Sequence, residues 1–259
     1  MEDLQILAKQ WLHQGIEFVL SKETTKFFNA TYVLFLAIIM LFFHRLFRPK
    51  KTNIVLFSGL SGSGKTMLFN RLRDRSSHRG VVTSMEPNEG TSVLHTKITM
   101  VEKDLHFGFS GITKPVHLLD VPGHSPKLEE YLPLATALVF VVDAMDFLPN
   151  CRAASEYLYD ILTNASVVTN KIPVLLCCNK TDKVTAYTKD FISKQMEKQI
   201  EKLRVSRIAI STVNDFTLGI EGEVFSFSHC QNKVTLAESS GLTGETDQVQ
   251  EFIREHVKP

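Results

Sequence analysis

Two hydrophobic patterns divide the chain. From residue 27 to 47 the sequence reads FFNATYVLFLAIIMLFFHRLF, with no charged residue between 27 and 43. Twenty-one residues rise about 30 Å as a helix, the hydrocarbon thickness of a bilayer. Thirteen of these residues are Leu, Ile, Val or Phe, and each favours insertion near the bilayer centre. A core helix is seldom apolar on every face, so the pattern predicts a transmembrane helix. Beyond residue 52 the pattern changes. Short apolar runs at 53–58, 93–101, 116–120, 137–143, 174–179 and 234–238 predict strands. Amphipathic stretches at 65–73, 127–132, 153–165, 188–204 and 247–257 predict helices between them. Continuously apolar strands separated by helices imply an α/β domain with a mostly parallel six-stranded sheet covered on both faces.

The flanks orient the anchor. Arg45, Arg48, Lys50 and Lys51 crowd its C-terminal end, whereas Lys22 and Lys26 are offset by Glu17 and Glu23. The positive-inside rule puts the C-terminal side in the cytosol. About 26 residues of mixed charge precede the span and no small-residue cleavage site follows it, which predicts a signal anchor. Residues 1–26 are then expected to be a short non-cytosolic segment. Its apolar positions, among them Leu4, Leu7, Trp11 and Phe18, recur at a helical period. Two placements satisfy that pattern: along the membrane surface, or against the anchor's end. Residues 48–52 are a basic linker that spans at most about 18 Å, which pins the domain 53–259 close to the bilayer.

Charge and cysteines narrow the classes. Twenty-nine basic and 28 acidic residues leave a net charge of +1, which argues against nucleic-acid binding through bulk charge. Cys151, Cys177, Cys178 and Cys230 show no metal or CxxC spacing and read as reduced thiols.

The chemistry begins at Gly59-Leu60-Ser61-Gly62-Ser63-Gly64-Lys65-Thr66, a GxxxxGK[ST] run between a predicted strand and a predicted helix, continued by Met67. The glycines let backbone N–H groups curl around phosphate oxygens at a helix N-terminus. Lys65 supplies charge to the terminal phosphates, and the Thr66 hydroxyl suits Mg²⁺. Such a run arises by chance in roughly one chain in a hundred of this size. Asp120, ending an apolar strand before Val121-Pro122-Gly123, would hold Mg²⁺ through water while the Gly123 N–H meets a γ-phosphate. DxxG alone carries nothing, since about one occurs by chance in such a chain. Asn179-Lys180-Thr181-Asp182 ends a further strand. The Asp182 carboxylate suits the N1–H and exocyclic amine of guanine, the Asn179 amide reaches the other edge, and the Lys180 stem covers the ring.

The order GLSGSGKT, DVPGH, NKTD resembles the Ras-like small GTPase superfamily over residues 53–259. With an N-terminal anchor and DxPGH, it is most similar to the Arf/Sar-related family of signal recognition particle receptor beta subunits. The residue after Met1 is Glu2, where myristoylation needs Gly, and the end carries no CaaX, so a protein anchor replaces lipid. The resemblance implies GTP/GDP and Mg²⁺ as ligands, slow GTP hydrolysis, and an endoplasmic reticulum location. It implies recruitment of the receptor alpha subunit for co-translational targeting, near ribosome or translocon.

Further positions follow from the same resemblance. Residues 76–90 correspond to the first switch, its metal-contacting hydroxyl being Thr83, with Ser84 and Thr91 as competitors. The guanine loop corresponds to Ser239-Ser240-Gly241, with the Ser240 N–H facing the base; Ile210-Ser211-Thr212 is the weaker candidate. His124 stands where relatives place a water-orienting Gln. Two readings stand for it: positioning the attacking water, or a passive loop residue. No arginine finger is assigned in cis. Residues 215–227 read as an insertion. Two other functions fit the motifs, an Arf/Sar-like trafficking enzyme cycling by hydrolysis and a scaffold with locked nucleotide. A P-loop kinase would leave NKTD without a task.

Overall fold

The structure, a computed structural model, describes residues 11, 13–14, 32–42, 53–74, 84, 86–93, 115–123, 127–208 and 218–257. Two compact units are present, Met1–Lys50 and Lys51–Pro259. In the first, residues 32–42 are helical, and apolar side chains such as Phe35, Ile38 and Leu41 stand exposed. Among the described residues no helix is long and apolar enough to cross a membrane. Positions 27–31 and 43–47 of the expected span, and the linker 48–52, lie outside the described residues.

In the second unit the elements run β1 (Ile54–Ser58), α1 (Lys65–Asp74), β2 (Asn88–Ser92), β3 (Val116–Asp120), α2 (Lys127–Tyr131), β4 (Ala135–Asp143), α3 (Phe147–Thr163), α4 (Ala165–Thr169), β5 (Val174–Asn179), α5 (Lys189–Ile208), β6 (Val234–Glu238) and α6 (Asp247–His256). Single 3-10 turns occupy Leu132–Leu134 and Phe227–His229. The sheet order is β2-β3-β1-β4-β5-β6. Every pairing is parallel except that of β2 with β3. Strand order reverses around β1, which places a ligand site at the carboxyl ends of β1, β3 and β4.

Period-two alternation builds two cores. Val55, Phe57, Val139, Val141 and Cys177 face α1 and α6, where Leu68, Phe69, Phe252 and Ile253 cover them. Leu56, Leu138, Phe140 and Cys178 face the other way, against Phe147, Leu158, Ile192 and Met196 of α3 and α5. The neighbouring Cys177 and Cys178 thus enter opposite layers. Burial pushes the Cys177 thiol up to about 12 and raises Cys178 as well, so both stay protonated.

Two departures from the pattern have physical causes. The strand expected over 93–101 lies, beyond Val93, outside the described residues. The described strand is NEGTS at Asn88–Ser92, which begins within the stretch 76–90 read as a switch loop and runs two residues past it. It is an antiparallel edge strand with one paired side and polar side chains, so no apolar run announces it. Helix α3 starts six residues before the expected 153, although Pro149 stands in its first turn. Proline is tolerated there because that N–H has no intrahelical acceptor.

The stretch 215–227, read from the sequence as an insertion, is described from residue 218 onward, where it is tied to α5. The buried Arg204 of α5 donates to the carbonyls of Leu218, Ile220 and Glu223, while Glu197 and Glu201 accept the N–H groups of Phe227 and Phe225. Buried Asn232 pins the start of β6, its amide donating to Val167 O and Ile172 O at 3.0 Å each. Asn232→Ala removes the amide donor from the carbonyls of Ile172 and Val167, the latter keeping the Ile172 N–H, and is expected to cost about 2 kcal/mol, read as a lower urea midpoint at unchanged m-value.

Candidate nucleotide-binding site

The turn after β1 is built by glycines. Gly59, Gly62 and Gly64 have φ of 138°, 81° and 88°, conformations a Cβ resists. At Gly64 a Cβ would sit 2.3 Å from the Asn179 side chain. Lys65, the first residue of α1, folds back so that Nζ donates to Gly59 O (2.9 Å) and Leu60 O (2.8 Å). An ammonium has three donors, which leaves one for an acceptor in the cavity. Desolvation lowers the Lys65 pKa, and the Asp120 charge opposes that shift.

The loop opens on a cavity of about 330 Å³. Gly62, Gly64, Lys65, Thr66 and Met67 line one wall; Ser84, Asp120 and Gly123 line another; Asn179, Lys180 and Asp182 line the third. The three motifs, which together span more than 100 positions of the chain, therefore share one space. Leu60, Ser61 and Ser63 lie against a second cavity behind the loop. The Ser63 carbonyl accepts from Asn179 Nδ2 at 2.9 Å and ties the phosphate loop to the NKTD strand.

At the phosphate end, Thr66 Oγ1 donates to Asp120 Oδ2 at 2.6 Å and lies 3.2 Å from Ser84 Oγ. Asp120 Oδ1 is buried, with no hydrogen-bond partner among the described residues. Two hydroxyls and a carboxylate with an unsatisfied oxygen are hard donors that fit Mg²⁺. Among the described residues of that stretch, Ser84 places its hydroxyl at this corner, and Thr91 sits within β2; Thr83, the first choice from the sequence, lies outside the described residues. Asn88 was not legible as a site residue. From the head of β2, its Nδ2 donates to Ser84 Oγ (2.7 Å) and Asp120 Oδ2 (3.2 Å). His124 lies outside the described residues.

At the other end, Asp182 Oδ1 accepts the Ser240 hydroxyl at 2.7 Å and Oδ2 lies 3.3 Å from Lys183 Nζ. The Ser240 hydrogen bond holds the Asp182 carboxyl below its ordinary range; Lys183 adds to this against a desolvation penalty. Asn179 Oδ1 accepts from Ser239 Oγ (3.3 Å) and from the Gly241 N–H (3.1 Å).

The guanine loop is shifted by one residue from the sequence expectation. The Ser240 N–H, expected to face the base, donates instead to Glu245 O at 3.0 Å. Ser240 acts through its hydroxyl and Ser239 braces Asn179, while Gly241 and Leu242 line the cavity. The contact of the Ser240 hydroxyl with Asp182, invisible in a run of two serines, sets this register. Ile210-Ser211-Thr212 lies outside the described residues.

The family model for the signal recognition particle receptor beta subunit matches residues 50–234. The chain belongs to that family. A Dictyostelium discoideum signal recognition particle receptor subunit beta is 31% identical over 211 residues, covering 76% of this chain and 67% of that protein. A solved structure of the mammalian signal recognition particle receptor matches with a TM-score of 0.67 at 28% identity, over 79% of this chain and 100% of that one. A receptor SRb–GTP/SRX complex from Chaetomium thermophilum matches with a TM-score of 0.62 at 21% identity, over 78% and 99%, which shows the shared fold. Family and fold together give this chain a small-GTPase fold and place it generally among GTP-binding or GTP-hydrolysing proteins, with the cavity at the place where such domains bind nucleotide.

Proposed function

We propose that this chain is the membrane-held, GTP-binding subunit of a signal recognition particle receptor, which recruits the receptor's alpha subunit to the endoplasmic reticulum when loaded with GTP and Mg²⁺. The observation that carries the reading is the convergence on one cavity of a phosphate loop, a hard-oxygen corner and a braced Asn179–Asp182 pair. GTP fits both ends of that cavity. Lys65, Thr66, Ser84 and Asp120 hold the phosphates and metal, and Asn179, Lys180 and Asp182 hold the base. The γ-phosphate then orders the segments 76–90 and 123–132, which form the docking surface for the partner. Residues 27–47 serve as the single-pass anchor, with the domain facing the cytosol.

Hydrolysis to GDP and phosphate is the slow step of this cycle. No arginine has been assigned to the γ-phosphate in cis, and His124 stands where the attacking water would be oriented. A slow intrinsic rate suits a receptor that keeps its partner while GTP remains.

The test is affinity capture of the full chain in detergent with purified alpha subunit. A non-hydrolysable GTP analogue is expected to raise capture at least tenfold over GDP or no nucleotide. Equal capture without nucleotide sinks the switch.

A further inference from the structure

Lys180 stands between two cavities. One is the nucleotide cavity; the other, about 260 Å³, lies behind the phosphate loop and is lined in part by Leu60, Asp143, Asp146 and Asn150. Lys180 lines both. Its φ is 68°, in the left-handed region that a residue with a Cβ adopts only when its surroundings demand it. Its ammonium is held 2.5 Å from Asp143 Oδ2, and the pair is only partly exposed, 37% for Lys180 and 16% for Asp143.

Asp143 is itself fixed. It is the last residue of β4, and its Oδ1 accepts the N–H groups of Met145 (2.9 Å) and Asp146 (3.2 Å). It pairs in register with Asn179, and the Ala144 N–H donates to Asn179 O at 2.9 Å. The carboxylate that holds Lys180 therefore shares a rigid frame with the residue that reads the base. A lysine stem has four rotatable carbons, and its ammonium is drawn to any phosphate oxygen in reach. Tying that ammonium to Asp143, away from the phosphates, leaves the apolar stem as a fixed wall of the nucleotide cavity.

We propose that Asp143 is a positioning residue for the guanine base: it holds the Lys180 ammonium so that the Lys180 stem covers the ring face, and it thereby sets how long nucleotide stays bound. The proposal rests on the reading of this cavity as a guanine-nucleotide site. It assigns Asp143 no contact with nucleotide or metal.

The test uses the full chain in detergent, loaded with fluorescent GDP or IDP, and measures release after an excess of unlabelled nucleotide. IDP lacks the exocyclic amine that Asp182 reads, but presents a similar ring face. Asp143→Asn keeps the acceptor for Met145 and Asp146 and removes the charge that holds Lys180. It is expected to speed release of both nucleotides by about fivefold and to leave the GDP-to-IDP ratio unchanged. Lys180→Met, which leaves the Asp143 turn intact, is expected to speed release at least as much. Adding Asp143→Asn to Lys180→Met is expected to change nothing further. Equal acceleration by Asp143→Asn in the Lys180→Met background overturns the proposal, because Asp143 then acts through its turn. A changed GDP-to-IDP ratio, or wild-type release from Lys180→Met, overturns it too. Wild-type protein that binds ADP as tightly as GDP sinks the guanine-site reading itself.

Discussion

Asp182→Asn is expected to weaken GDP binding roughly 100-fold, about 3 kcal/mol, while raising affinity for the xanthine nucleotide. The carboxylate offers only acceptors, and guanine presents two donors on the edge it reads, N1–H and the exocyclic amine. In the structure the Ser240 hydroxyl and Lys183 ammonium already set its orientation, one at each oxygen. An amide keeps the shape but replaces one acceptor by a donor, so one guanine hydrogen bond becomes a donor–donor contact. Xanthine carries a carbonyl where guanine carries the amine and accepts from that amide. Retention of the Ser240 contact by the remaining oxygen should leave the loop, and thermal stability, nearly unchanged. Competition between labelled GDP and unlabelled XDP reads the effect directly. Unchanged GDP affinity would mean that Asp182 does not read the base.

The second large effect is on folding. Gly59→Ala is expected to cost about 4 kcal/mol, a fall in melting temperature of about 10 °C. A Cβ at Gly59 would lie 2.2 Å from the Val141 carbonyl oxygen, with φ at 138°. Val141 is fully buried in β4, a central strand paired on both sides, so its backbone has nowhere to move. Strain and overlap therefore add. Gly62→Ala is the internal control. Its φ is 81°, but nothing lies within 4 Å of the added carbon, so only backbone strain of about 1 kcal/mol applies. Thermal melts of the two variants that coincide would refute the steric account.

The contrast between these glycines marks how far the sequence could be read. The phosphate-loop pattern GxxxxGK[ST] named Gly59, whereas Gly62 falls at one of its variable positions. Only the packing of β1 against β4 makes one of them intolerant. The strands β3, β5 and β6 were legible to the residue, because each is a short run dominated by apolar and β-branched residues. Strand β2 was not, since an edge strand can be polar. The short helix α4, five residues capped by Asn164, also escaped notice, because one turn of ASVVT has no helical period to display.

The candidate site divides along the same line. Lys65, Thr66, Asp120, Asn179 and Asp182 were assigned from local motifs, each a strand end followed by residues whose chemistry suits phosphate, metal or base. Motifs of this kind are legible because strand, turn and ligand contact lie within a few consecutive residues. Asn88, the register of the Ser239–Leu242 loop and the tie between Asp143 and Lys180 were not. Each depends on side chains that meet only after the sheet has ordered its strands as β2-β3-β1-β4-β5-β6. The sequence alone determined the apolar run at 27–47 and the alternation of strands and helices, and displayed the motifs GLSGSGKT, DVPGH and NKTD, because these are properties of neighbouring residues. The tertiary structure decided which serine meets Asp182, that Ser84 and Asn88 stand beside Asp120, and which carboxylate holds Lys180. Those are distances between segments far apart in the chain, and a linear pattern carries no distance.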